Sequence, residues 1–180
     1  MLHRSRAIWA LSLVLAGCAH EQAPLAPPAT SARAPRAVSS RPRAVTAAAY
    51  VAQAGSIDLF VIRSSELALQ RSSSTRTRDF ATQEIAAHKG LGSQLSFAGR
   101  RLNLLPSATL QPEHQTLLDR LETSPNFDAT YRQEQLQVHR QALTLHSNYA
   151  AAGRSPTLRP VAAAAVPIIK RHLRLIGYLY

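Results

Sequence analysis

The stretch Phe127-Asp128-Ala129-Thr130-Tyr131-Arg132-Gln133-Glu134-Gln135-Leu136-Gln137-Val138-His139-Arg140-Gln141-Ala142-Leu143-Thr144-Leu145-His146-Ser147-Asn148-Tyr149-Ala150 decides the fold. It contains neither Pro nor Gly. Phe127, Tyr131, Val138, Ala142, Leu145 and Tyr149 recur at spacings of 3, 4 and 7, which gathers them on one face of a helix. Pro125-Asn126 marks its start and Gly153 its end. At 1.5 Å per residue the helix is about 36 Å long. An apolar face of that length must be buried, and other long helices are the natural partners.

Moving outward, the chain supplies those partners. Downstream, Leu158, Val161, Ala165, Ile168, Ile169, Leu173 and Ile176 predict a last helix over 157–178, with Pro160 in its first turns. Pro167 lies inside it and predicts a kink. Upstream, Leu117, Leu118 and Leu121 predict a short helix from Pro112 to Glu122, behind a polar loop around Pro106. Phe80, Ala81, Ile85 and His88 share a face of a helix from about Thr75 to Lys89, whose end Gly90 and Gly92 blur and which can extend towards Phe97. Tyr50, Ile57, Phe60, Val61, Leu67 and Leu69 mark a first long helix over 44–72, in which Gly55 signals a kink or a close approach. No strand pattern competes. The expectation is an all-α, ferritin-like four-helix bundle with a short extra helix in its one long connection.

The N-terminal quarter is organised differently. Arg4 and Arg6 precede an apolar run from Ala7 to Ala16, which reads as a secretory signal. The run ends in Leu15-Ala16-Gly17-Cys18, which resembles a bacterial lipobox. The resemblance implies cleavage before Cys18, its lipidation, and a membrane anchor held by several acyl chains. Ala19, where lipoproteins kept in the inner membrane carry Asp, implies the outer membrane of a Gram-negative bacterium, with the domain facing the periplasm. Residues 18–43 are rich in Ala, Pro, Ser and Arg and read as a disordered tether. The domains expected are therefore a signal peptide over 1–17, a lipidated tether over 18–43 and a helical bundle over 44–180.

The net charge is +11, but six arginines precede residue 44. From there on, 15 basic residues face 9 acidic ones. A positive field of that size favours an anionic envelope polymer or another envelope protein as partner. Nucleic acid is not expected, because no basic cluster is interleaved with aromatics and no reader motif occurs. The single Cys excludes an intramolecular disulfide.

Four segments, in order, carry a family resemblance: Phe60-Val61-Ile62-Arg63-Ser64-Ser65-Glu66-Leu67; Phe80-Ala81 with His88; Phe127-Asp128 with Tyr131 and His139; and Val166-Pro167-Ile168-Ile169 with His172. Together they resemble a bacterial family of ferritin-like helical domains of unknown function, predicted to be outer-membrane or periplasmic proteins. Two positions depart from that pattern. Val61 stands where a glutamate is usual, and Ala87 where an aspartate is usual. The resemblance therefore implies the loss of two carboxylates that could have served a metal.

The candidate site residues are His88, His139 and His172, one on each of three helices, with His146, Asp128 and Tyr131 beside them. Glu84 and His88 are four apart and share a face, but no Glu-x-x-His occurs, so a di-iron site is not expected. The favoured role for these residues is a buried hydrogen-bond network that fixes helix register, with no cofactor. In that case the histidines would be held neutral, and acid would destabilise the fold. The alternative is a His-based site for Zn, Cu or Fe, in a metal-binding or redox and stress-protection protein. The expected function is thus a lipid-anchored envelope protein with a binding or structural role and no enzymatic activity.

Overall fold

The computed structural model describes residues 45–179. The signal segment, Cys18, the tether and Tyr180 lie outside them. The described chain forms five helices: α1 (Ala47–Arg71), α2 (Thr75–Arg100), α3 (Pro112–Thr123), α4 (Phe127–Ala152) and α5 (Arg159–Ile176). It contains no strand. None of its helices is long and apolar enough to cross a membrane.

Helix starts follow local chemistry. Thr46 and Ser74 cap α1 and α2 by accepting from the backbone N–H groups of Ala49 and Thr77. Pro112 and Pro160 occupy the first turns of α3 and α5, where a missing N–H costs nothing. α2 does not stop at Lys89. It continues through Gly90 and Gly92 to Arg100, because Leu91, Leu95 and Ala98 bury its last turns. α5 is likewise one unbroken helix through Pro167; the proline is on the exposed face, so the freed carbonyl can reach water.

Side-chain pairings give the topology. Tyr50 near the start of α1 bonds His146 near the end of α4, and Ser65 near the end of α1 bonds Tyr131 near the start of α4. These helices are therefore antiparallel. Arg76 reaches the Tyr178 carbonyl and Phe80 meets His172, so α2 and α5 are also antiparallel. α1 and α5 run one way and α2 and α4 the other. Joining the parallel pair α2 and α4 requires a long crossover, and α3 is that crossover, lying against α1 and α4.

Two anchors hold the crossover. Ser56 Oγ accepts from the Gln111 backbone N–H and bonds His114 Nδ1 at 2.7 Å. Arg71 donates to the carbonyls of Leu121, Glu122 and Ser124, filling the open carbonyl end of α3. Gly55 marks a close approach rather than a kink: a Cβ there would lie 2.5 Å from Pro106 Cβ.

The buried apolar residues form two clusters. The larger includes Tyr50, Phe60, Leu95, Val138, Tyr149 and Ile169. The smaller includes Phe80, Leu121, Phe127, Tyr131 and Ile176. Val61, where the family resemblance placed a carboxylate, is fully buried in the larger cluster. On α2 and α5 a polar layer falls between the two clusters, and it holds the candidate site.

The two glycine environments lead to opposite expectations. Gly90 is exposed within α2, and nothing lies within 4 Å of a Cβ there. Gly90→Ala should stabilise the protein by about 1 kcal/mol. Gly55→Ala should destabilise it, because displacing Pro106 costs about 1–3 kcal/mol and outweighs the helix gain. Urea unfolding of both variants checks the pair.

Candidate metal centre

The polar layer centres on Glu84. Its sequence position explains its burial: Thr77, Phe80, Ala81, Glu84, His88, Leu91 and Leu95 form one inward stripe of α2. Glu84 and His88 are both fully buried. Opposite them stand His139 from α4 and His172 from α5, also buried.

The approaches are short. Glu84 Oε2 lies 3.0 Å from His139 Nε2 and 3.3 Å from His88 Nε2. Glu84 Oε1 lies 2.8 Å from His172 Nδ1. His139 Nε2 and His172 Nδ1 are 3.4 Å apart. One ligand atom from each of the four residues falls within 4.8 Å of all the others. A tetrahedral ion with bonds of 2.0–2.1 Å places its ligand atoms about 3.3 Å apart.

The cluster is closed on itself: apart from the three histidine nitrogens, neither Glu84 oxygen has a hydrogen-bond partner, and His88 Nε2 has none apart from Glu84. The other ring nitrogens of His139 and His88 are committed outward. His139 Nδ1–H donates to the Gln135 carbonyl at 2.9 Å, which turns Nε2 towards Glu84. His88 Nδ1 bonds Asp58 Oδ1 of α1 at 2.8 Å. A carbonyl or carboxylate behind the imidazole, with the far nitrogen facing a shared centre, is how metal-ligating histidines are oriented. The donor set of three imidazoles and one carboxylate suits Zn(II) or Cu(II), and it lacks the thiolates that softer ions favour.

Electrostatics follow from the same packing. Burial opposes ionisation of Glu84, but His139, His172 and His88 together hold it well below the usual carboxylate range. Burial opposes the charged form of His88, yet Asp58 and Glu84 raise it to about 9. Burial lowers His139, against the pull of Glu84. It also raises Asp58, although His88 acts against the rise. His88 is thereby held in its protonated form at neutral pH.

The remaining sequence candidates lie elsewhere. Tyr131 bonds Ser65 at 2.8 Å and packs on Phe80 and Phe127. His146 bonds Tyr50 at 2.9 Å, and Tyr50 stacks on Tyr149. Asp128 is in the first turn of α4, half-buried. None of the three supplies a donor to the four-residue cluster. The centre instead uses Glu84 as its hub and Asp58 as a support, and sequence reasoning named neither as a site residue. A signal for both was present: each is an acidic residue at a position where the helical period demands an apolar one.

Residues 28–179 match the family model of a domain of unknown function, DUF4142. The chain belongs to the DUF4142 family. Among solved structures, "CopM in the Cu(II)-bound form" resembles this DUF4142 protein with a TM-score of 0.64 at 16% identity, covering 75% of this chain and 95% of that one. The likeness is one of fold. A search of curated proteins finds no significant match.

His146 gives a pH test independent of metal. Burial, and secondarily the charge of His88, push it down to about 4. Between its unfolded value of about 6.5 and that figure, the unfolded chain takes up a proton that the folded chain refuses. The stability it contributes is present above about pH 6.5 and is lost as pH falls towards 4. His88 acts in the other window: its contribution is complete below about pH 6.5 and is lost as pH rises through about 9. Metal-free protein should lose about 2 kcal/mol through His146 between pH 7 and pH 5. His146→Leu should be less stable at pH 7 but lose less over that interval, as read from urea midpoints at both values.

Proposed function

We propose that this protein binds a single transition-metal ion, copper(II) or zinc(II), through Glu84, His88, His139 and His172. One observation carries the reading: four buried ligand atoms converge within 4.8 Å of one another, and the Glu84 oxygens and His88 Nε2 have no partner outside that cluster. CopM, described as bound to Cu(II), supports copper first, as does the greater affinity of copper(II) for sites of this type.

The arrangement favours holding an ion over using it. All four donors are buried, and four is the ligand count of a closed site. Catalytic sites keep a coordination position open for substrate, whereas closed sites store, sequester or brace. The reading is therefore metal sequestration or buffering, with no enzymatic step. The Leu-Ala-Gly-Cys motif supports a setting for it: an envelope protein tethered to a bacterial membrane through lipidated Cys18, the outer membrane being the destination that Ala19 favours. If so, Cys18→Ser should move the protein from the membrane fraction to the soluble one.

Protein purified without chelator should bind one Cu(II) or Zn(II) per chain, by elemental analysis and titration. Saturation at about 1,000 times Kd should raise stability by about 4 kcal/mol. Asp58→Asn, which alters only the support of His88, should weaken binding by about 10–100-fold. Glu84→Gln and His139→Ala should weaken it further. Tyr131→Phe and Asp128→Asn should leave affinity unchanged. A wild-type chain that carries no metal and gains no stability from either ion would end the reading.

A further inference from the structure

A buried site needs a route. The ligands Glu84, His139 and His172 have almost no contact with solvent. On the α1–α2 face, however, an open groove of about 410 Å³ reaches the back of the site. Its lining includes Asp58 and His88. Asp58 keeps 7% of its side chain exposed and His88 keeps 1%. Gly92 borders the groove, and a Cβ there would stand 3.7 Å from Asp58 Oδ2, in ordinary contact. The absent side chain at Gly92 leaves the carboxylate open to the groove. Gly55 and Pro106 close one side, while Lys89 and Arg100 place positive charge along it.

We propose that metal enters and leaves through this groove, with Asp58 as the first oxygen ligand it meets and the His88 ring as the door. The inference rests on the metal-site reading above. His88 Nε2 faces inward, so the ion passes the edge of the ring to reach Glu84. Passage requires the Asp58–His88 hydrogen bond to open transiently. Asp58 is freed at the moment a cation lies beside it, and it closes on His88 again once Nε2 has taken its place in the site. The positive charges of Lys89 and Arg100 oppose free cations, so loading should be slower than diffusion allows. Exchange is then limited by the door, and a closed four-donor centre can retain its ion.

Rates test the route, and affinity tests the site. Gly92→Leu fills the groove over Asp58 with a strong helix former and leaves every ligand in place. In purified full-length protein, Cu(II) uptake and EDTA-driven loss should both slow by about tenfold or more. Because both directions slow, Kd should hold within about threefold. Ser96→Leu, one turn further out on α2 and also lining the groove, should slow both rates less, and it serves if Gly92→Leu disturbs folding. Lys89→Glu should speed uptake, with the gain shrinking as salt rises. Unchanged rates in both leucine variants, with wild-type Kd, would overturn the route and leave the site standing. No binding by the wild type would instead remove the site itself.

Discussion

The structure depends on a carboxylate that has been taken out of water. Glu84 lies fully buried at mid-bundle, yet it is held in its ionised form. An isolated buried charge of this kind costs several kcal/mol even after the protein relaxes. Three helices contribute nitrogens to offset that cost: α2 through His88, α4 through His139 and α5 through His172. α1 takes part at one remove, through Asp58. Every long helix of the bundle is thus tied to one charge. A slip of any helix by a single residue would leave that charge unpaired, so the polar layer specifies register far more strictly than the apolar clusters on either side of it.

The fold was largely legible because apolar periodicity is a repeated signal. The stripe from Phe127 to Tyr149 marks α4 through many residues, and one irregular position does not erase it. The long crossover was legible from the length of the connection between α2 and α4, which up-down bundles do not need. Where a single residue type interrupts the pattern, its surroundings decide. Gly90 and Gly92 left the end of the second helix open between Lys89 and Phe97, and Leu91 and Leu95 carry it past both, because their burial outweighs about 1 kcal/mol of intrinsic preference per glycine. Gly55 signalled a close approach correctly, although the partner is Pro106 of the crossover and not another helix.

The site was less legible, for a different reason. Histidines draw attention because they are scarce and chemically versatile. Glutamate on a helix usually faces water, so Glu84 looked ordinary. Only its place on the stripe from Thr77 to Leu95 betrays burial, and only tertiary packing brings His139 and His172 to it. Asp58 is a similar case, set between Ile57 and core residues Phe60 and Val61, and it is the one charged residue among those buried on α1. Val61 and Ala87 were weighed as missing carboxylates, while the two acidic groups the centre uses sit three residues before each of them in the chain. A displacement of three residues is close to one helical turn, so the same region of the bundle is reached from a neighbouring position on the same helix.

The distribution of charge outside the core adds a constraint on how such a centre can work. No acidic residue follows Glu134, although Arg140, Arg154, Arg159, Lys170, Arg171 and Arg174 do. α5 and the second half of α4 therefore present a positive exterior over the buried site. A cation approaching from that side meets repulsion and a wall of packed helix. The α1–α2 face also carries Lys89 and Arg100, but it alone adds Asp58 and a gap at Gly92, which is why the proposed route runs there. On the proposed route the asymmetry bears on retention. An ion leaving that way would again pass the one carboxylate, and recapture by Asp58 would compete with escape. A deep site with a single acidic threshold would then exchange slowly even at moderate affinity, as sequestration requires.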